Sequence, residues 1–338
     1  MSKFCIIGLG RMGRRHLQVA KNLGFEITGV YDPLPESVGL ALKEHELPAS
    51  IVFDSAQRML ETVRPDALVV ASTAPSHCEY VCMAAAAGVR HVLCEKPMAV
   101  SVAECERMIE ACAASGTSLA VNHQMQFMEQ YALVKELASS PDFGGLRSVT
   151  VAASNFGLAM NGAHYFEMFR YLTGEEIETV SFWADAEKVT NPRGVQYEDR
   201  SGQLRAVAPS GVRLYMEIGG DQGHGIHVVY GCRHGQIFVD ELAGLVRTIH
   251  RKAEFRELPT TRYGMPAEEV SRQIAPADVI APTEAVWRAM LAGSDYPDGR
   301  CGRHAVRALV AANLSGERGG VPVGLTLQEA AGRAFPWA

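Results

Sequence analysis

The sequence predicts an α/β protein of two domains, the first a doubly wound parallel sheet and the second of α+β type. Three observations carry this. The chain has 338 residues, and ~150 residues is an ordinary domain length. Over its first third, short apolar runs alternate with helix-length segments, the pattern of strands joined by crossover helices. Beyond the middle, strands follow one another directly after a single helix, which fits an α+β domain. The division falls at residue 122, giving domains 1–122 and 123–338.

The elements are read in order. Lys3 to Gly8 is an apolar strand running into glycine, and Arg14 to Leu23 is a helix ended by Gly24. Phe25 to Tyr31 is a strand stopped by Asp32-Pro33, and Pro35 to Glu44 a helix. Ile51 to Phe53 reads as a short strand and Ala56 to Thr62 as a helix. Asp66 to Ser72 is an uninterrupted apolar run, as a strand buried on both faces should be. His77 to Ala87 is a helix, His91 to Cys94 a strand, Val102 to Ala114 a helix and Ser118 to Val121 a strand.

In the second domain, a helix covers Gly162 to Leu172. Strands are expected at Arg147 to Ser154, Glu178 to Ala186, Gln203 to Ala208, Val212 to Ile218, Gly225 to Cys232 and Gln236 to Asp240. Several alternate apolar and polar residues, as a sheet with one wet face does. Thr283 to Ala292 and Arg303 to Ser315 are closing helices, with Gly293 to Gly302 a loop between them.

Composition excludes several classes. With 47% hydrophobic and 21% charged residues, the chain can bury a core and is not disordered. A formal net charge of −6 leaves no excess of cations for phosphate backbones, so nucleic acid is not an expected partner. No run of about 18 apolar residues exists to span a membrane, and no leader segment precedes the first strand. The eight cysteines form no Cys-x-x-Cys pair and read as reduced, buried thiols, which predicts a cytoplasmic setting.

The glycines carry the first functional signal. Gly8-Leu9-Gly10-Arg11-Met12-Gly13 fits G-x-G-x-x-G, follows a strand and opens a helix. That context makes the pattern a dinucleotide site. Gly8 allows the tight turn, Gly10 lets backbone approach a pyrophosphate, and Gly13 lets helix pack on strand. The helix start offers unsatisfied N–H groups to the phosphates. Asp32 ends the second strand, where a carboxylate accepts bonds from ribose hydroxyls and repels a 2′-phosphate. It favours NAD over NADP, although Arg11 would suit the 2′-phosphate.

A second signal is Cys94-Glu95-Lys96-Pro97, two charges and a proline at the end of a parallel strand. Ligands of such sheets bind at that edge, and a lysine there can reach a substrate oxygen.

With these motifs the chain resembles the Gfo/Idh/MocA oxidoreductases, the glucose–fructose oxidoreductase and inositol 2-dehydrogenase group. The resemblance runs through Gly8 to Gly13, Thr73-Ala74-Pro75-Ser76-His77 and Ala87 to Pro97, then Asn161 to Glu167, Tyr230 to Asp240 and Gly302 to Val321. It implies a Rossmann domain followed by an α+β domain whose open, mostly antiparallel sheet makes a homodimer or homotetramer. It also implies hydride transfer between nicotinamide and a secondary alcohol or ketone of a sugar, inositol or nucleotide-linked sugar.

Carried over residue by residue, the resemblance makes Lys96 and His164 catalytic. Lys96 would stabilise developing charge on the substrate oxygen. Gly8, Gly10, Arg11, Met12, Gly13, Asp32, Thr73, Ala74, His77, Glu95, Lys96 and Asn122 would border the cofactor. Gln126, Asn161, Lys96 and His164 would meet the substrate. His164 stands off the core stripe of Tyr165, Met168, Phe169 and Leu172. With Asn161 as N-cap, His164 would sit in the first helical turn, where the dipole keeps an imidazole neutral. Relatives often carry Asp at the position of Met160 and Arg at that of Gln126. The candidate replacements for that acid are Glu167, three residues after the histidine, and Asn161, whose amide can orient an imidazole.

His224, His227 and His234, with Cys232, read as sheet-surface residues and not as a metal site, and no metal is expected. Arg247 to Lys252 is a basic run on a solvated strand or loop. Two other functions share the resemblance: a glycosidase that uses NAD for transient oxidation, and a ligand sensor without catalysis. Net NADH release separates the first, and retention of Lys96 argues against the second.

Overall fold

The computed structural model describes residues 2–154, 157–189, 191–223, 225–259, 265–276, 278–328 and 332–338. The chain divides into two compact units. Unit 1 is Met1–Gln124 with Asp278–Arg307 and Ala331–Ala338, and unit 2 is Met125–Ala277 with Ala308–Ala330.

Unit 1 runs β1 (Lys3–Ile7), α1 (Arg11–Asn22), β2 (Glu26–Tyr31), α2 (Pro35–His45), α3 (Ala56–Val63), β3 (Ala67–Val70), α4 (Ala74–Ala86), β4 (His91–Cys94), α5 (Val102–Ser115) and β5 (Ser118–Val121). The five strands are parallel and lie in the order β2-β1-β3-β4-β5. The order turns back between β1 and β3, which opens a crevice at their C-terminal ends. Every side chain of β3 is buried, because the crossover helices cover both faces. Each such Val or Leu is worth about 1.5–3 kcal/mol of burial.

The expected strand at Ile51 to Phe53 is absent. Ala49–Ile51 is a 3₁₀ turn, and pairing shrinks to one bridge between Val30 and Val52. Pro48 precedes this segment, and Ser55 already caps α3 through the Arg58 N–H at 3.2 Å, so little chain is left for a ladder. Helix α4 starts earlier than expected, at Ala74, since Pro75 suits the first turn where no N–H is needed.

Unit 2 contains α6 (Glu129–Ser139), β6 (Leu146–Ser154), α7 (Ala163–Thr173), β7 (Thr179–Val189), β8 (Asp199–Val207), β9 (Arg213–Gly219), β10 (Ile226–Cys232), β11 (Gly235–Asp240), β12 (Leu245–Arg251) and β13 (Ala267–Gln273). Two helices follow, α8 (Ile280–Ala292) and α9 (Gly299–Glu317), and then β14 (Val323–Gly324). The nine-stranded sheet has the order β13-β12-β11-β10-β6-β9-β8-β7-β14. Among the described residues β6 and β9 pair in parallel, and the other pairings are antiparallel. Val149, Val151, Leu214, Met216, Val228 and Tyr230 form its buried face. Thr150, Arg205 and Tyr215 alternate onto the exposed one.

Several elements depart from the sequence expectation. Helix α6 and strands β13 and β14 were not expected. The basic run of residues 247–252 lies mostly on β12, whose Val246 and Thr248 are buried while Arg247 bonds Glu269 on β13 at 2.6 Å. Helix α9 starts inside the expected loop, because Asp298 accepts from the Arg300 and Cys301 N–H groups at 2.8 and 3.2 Å. α8 and the start of α9 belong to unit 1.

His234 is not a sheet-surface residue: it is buried in the β10–β11 turn, where its ring fills the space beside Gly144. His227 is exposed and meets Asp240 at 3.3 Å, and His224 lies outside the described residues. None of the eight cysteines forms a disulfide. Among the described residues no helix is long and apolar enough to cross a membrane, and no group of three or more metal-ligating side chains forms.

Candidate active site

The glycine loop sits at the crevice between β1 and β3. Gly8 has φ +92°, and a Cβ there would strike the backbone of Ala71 and Ser72 beyond β3. A Cβ at Gly13 would strike the Gly8 carbonyl, so α1 can approach β1 only at glycine. Gly10 differs: it is exposed, and a Cβ there would meet nothing within 4 Å. Among the described residues no side-chain hydrogen bond caps the start of α1, and no acidic residue lies in its first turn. Open space over uncapped N–H groups fits the pyrophosphate of a dinucleotide.

Asp32 ties this loop to the end of β2. Its Oδ2 accepts from Leu9 N–H at 2.6 Å and its Oδ1 from Leu34 N–H at 2.8 Å. Both oxygens keep a lone pair for a ribose hydroxyl. The carboxylate therefore holds the glycine loop to the end of β2. Arg11 is exposed and Met12 half-buried at the start of α1.

A buried polar network lies under Lys96. Glu95 is 5% exposed, yet its Oε1 accepts from His16 Nε2 at 2.7 Å and from Asn122 Nδ2 at 2.8 Å. Its Oε2 accepts from the Lys96 N–H at 3.2 Å. Burial alone would raise this carboxyl; His16, the Lys96 ammonium and Asn122 outweigh it and hold the group well below the usual carboxylate range. Asn122 is fixed in turn, with its N–H on the Cys94 carbonyl at 2.8 Å and its Oδ1 accepting from Thr283 at 3.4 Å. Lys96 itself is half-buried and precedes a cis proline.

His77 joins two loops at the same sheet edge. Its ring nitrogens lie 3.0 Å from the carbonyls of Pro97 and Ser72. Burial pushes its pKa down, opposed by those backbone contacts and by the Glu95 charge. Thr73 and Ala74 begin α4 in the adjoining loop, where Ser76 bonds Ser72 at 2.7 Å. Of the residues expected to border the cofactor, His77, Glu95 and Asn122 are buried side chains that brace the site from beneath.

Gln126, Asn161 and His164 belong to unit 2. Asn161 is not an N-cap. It lies within a π turn, Leu158–Gly162, which runs directly into α7. The helical segment therefore starts at Leu158. Asp199 of β8 caps it, accepting from Ala159 N–H at 2.7 Å and Met160 N–H at 2.8 Å. His164 is thus more than a turn inside, where the dipole of the helix start has faded. It remains half-exposed, beside the buried Tyr165, Phe166, Glu167, Met168 and Phe169, while Leu172 is only half-buried. Glu167 is taken up by Arg170, which donates to both of its oxygens at 2.8 and 2.7 Å.

Behind α7, Glu241 is buried and accepts from Tyr131 at 2.7 Å and Tyr165 at 2.9 Å. Burial outweighs these bonds and raises its carboxyl to about 7. His16, Asp199 and Glu241 were not anticipated, since their partners are distant in sequence and follow no motif.

Comparison with known proteins agrees with this fold. The sequence model of the Gfo/Idh/MocA oxidoreductase family, described as an NAD-binding Rossmann fold, matches residues 2–123. A myo-inositol 2-dehydrogenase of Thermotoga maritima is 27% identical over 188 residues, covering 52% of this chain and 56% of that protein. An inositol 2-dehydrogenase of Pseudomonas fluorescens is 35% identical over 128 residues, 37% of each chain. The chain thus spans about half or less of the length of these relatives. Among solved structures, an inositol dehydrogenase homolog from Azotobacter vinelandii, complexed with NADH and myo-inositol, superposes with a TM-score of 0.78. It is 16% identical, with 96% of this chain and 97% of that one covered. Residues 2–123 therefore carry the NAD-binding Rossmann domain of the Gfo/Idh/MocA oxidoreductase family.

Proposed function

We propose that the protein is an NAD-dependent dehydrogenase acting on a secondary alcohol of an inositol or sugar. The observation that carries this is the setting of Lys96: a half-buried lysine at the carboxyl edge of β4, fixed by the Glu95–His16–Asn122 network in the same unit as the glycine loop. The inositol 2-dehydrogenases among the relatives support the substrate class.

NAD would lie with its pyrophosphate over Gly10 and the start of α1, and its adenosine ribose at Asp32. When bound, the nicotinamide accepts the hydride that leaves the carbinol carbon. Lys96 donates a hydrogen bond to the substrate oxygen and stabilises its developing negative charge. His164 receives the hydroxyl proton, a general-base role. Glu95 keeps a negative charge beside Lys96, which favours the ammonium form. Gln126 and Asn161 contribute to substrate recognition.

The eight cysteines, none of them in a disulfide, support a reducing, cytoplasmic setting. The exposed face of the nine-stranded sheet supports a homodimer or homotetramer, which light scattering on the purified protein tests.

The test of function is NADH release over a panel of inositols, sugars and nucleotide sugars. Lys96→Ala is expected to lower turnover by about 10²- to 10³-fold, and His164→Ala by about 10²- to 10⁴-fold. Sugar release without net NADH would instead mark a glycosidase.

A further inference from the structure

The turn that leads into His164 has no charge of its own. Residues 157–163 read Gly-Leu-Ala-Met-Asn-Gly-Ala. The charge comes from another element. Asp199, 3% exposed at the start of β8, places both carboxylate oxygens on this turn, Oδ1 at 2.7 Å from Ala159 N and Oδ2 at 2.8 Å from Met160 N.

Two further observations show a built arrangement. A Cβ at Gly157 would fall on the Asp199 carboxyl group, so this glycine makes the room the carboxylate occupies. Its φ of −89° is open to any residue, so space and not conformation requires glycine here. The turn is also a π turn, with Gly162 N–H reaching the Gly157 carbonyl at 3.3 Å, and such insertions re-aim the residues that follow them.

Helical side chains lean toward the N-terminus, so His164 lies over the turn that holds Met160. Its Nδ1 is buried while the residue as a whole is half-exposed. The imidazole and the Asp199 carboxylate are thus set on the same turn, one through its side chain and one through the backbone.

We propose that Asp199 is the positioning residue of His164. By closing the start of the π turn with a fixed negative charge, it holds the histidine in one orientation and favours the imidazolium formed when a proton is taken up. This rests on the reading of His164 as the general base, and the experiment separates the two.

Asp199→Asn and Asp199→Ala are compared with the parent chain and with His164→Ala. The readouts are hydrogen–deuterium exchange over residues 157–164, the rate of carbethoxylation of His164 followed by peptide mass spectrometry, and kcat and KM for NADH formation. In Asp199→Ala, exchange over this turn and modification of His164 are expected to rise about tenfold. kcat is expected to fall about tenfold with KM nearly unchanged, since the interaction matters in the transition state. Asp199→Asn, which keeps an acceptor and loses the charge, should restore the exchange rate but not kcat.

Parental His164 reactivity in both folded variants would overturn the proposal. So would full recovery of kcat in Asp199→Asn, which would make Asp199 a neutral cap. If Asp199→Ala does not fold, the asparagine variant alone decides by its kcat. Normal turnover by His164→Ala would overturn the base assignment instead, while His164 reactivity would still report the positioning.

Discussion

Glu95 and His16 meet in the interior of unit 1 at 2.7 Å, with both side chains almost fully buried. The pair links α1, which opens at the glycine loop, to the Glu95-Lys96-Pro97 segment. The two parts of the candidate active site in unit 1 therefore share one anchor. His16→Ala should be far more harmful than a surface change, because it leaves a buried carboxylate short of a partner. A loss of about 3–5 kcal/mol is expected by urea unfolding at neutral pH. Since Glu95 has its pKa depressed in the folded protein, the pair's contribution exists above the ordinary glutamate value of 4.5 and fades as pH falls below it. The difference between parent and His16→Ala should accordingly shrink in acid.

Glu241 predicts the opposite slope. It faces Tyr131 on α6, Tyr165 on α7 and Tyr230 on β10, with Asp240 next to it, and its pKa stands at about 7 against an ordinary 4.5. A raised folded value means that the protonated form is favoured. The contribution is complete below 4.5 and is lost as pH rises to about 7, amounting to about 3 kcal/mol. Glu241→Gln should remove this slope, so that its stability relative to the parent improves from about pH 5 to about pH 8, across the titration window. Chemical denaturation at the two pH values measures it.

Gly8 and Gly10 should respond differently to the same substitution. Gly8→Ala meets the backbone of Ala71 and Ser72 and forces φ +92° on a residue with a Cβ, so loss of the folded protein is expected. A Cβ at Gly10 meets no protein atom within 4 Å, so Gly10→Val should melt like the parent. It should nevertheless weaken NAD by about tenfold or more, a change of ~1.4 kcal/mol, because the side chain takes the space of the pyrophosphate. Calorimetric titration with NAD reads this directly.

Asp32→Ser should shift cofactor preference and loosen the loop together. The shorter side chain removes the charge that opposes a 2′-phosphate and the acceptor that holds Leu9 N–H. Weaker NAD binding with relatively improved NADP binding is expected. An unchanged ratio of the two dissociation constants would contradict the ribose role of Asp32.

The sequence made some of this legible and hid the rest for definable reasons. The glycine loop and Glu95-Lys96-Pro97 are contiguous, and their chemistry follows from adjacent residues. The strand at β3 was legible because burial on both faces leaves an unbroken apolar run. Asn161 pointed to an N-cap, since asparagine before a helix commonly is one. Here the π turn extends the helix backward and Asp199, 40 residues away from Ala159, takes the capping role. His16 with Glu95 and Tyr131 with Glu241 are separated by 79 and 110 residues. Nothing local marks either pair, because only the tertiary fold brings them together. Glu167, set near His164 by helical spacing, is engaged by Arg170 at the same spacing on its other side.

NADH formation by the purified protein, with and without the Lys96→Ala substitution, bears most directly on the function. With an inositol or sugar from the panel, the parent is expected to reduce NAD steadily. Lys96→Ala is expected to bind NAD as the parent does and turn over at least ~10²-fold more slowly. Parental turnover by Lys96→Ala, with NAD bound normally, would contradict the assignment of Lys96 and with it the reading of this edge of the sheet as the catalytic one.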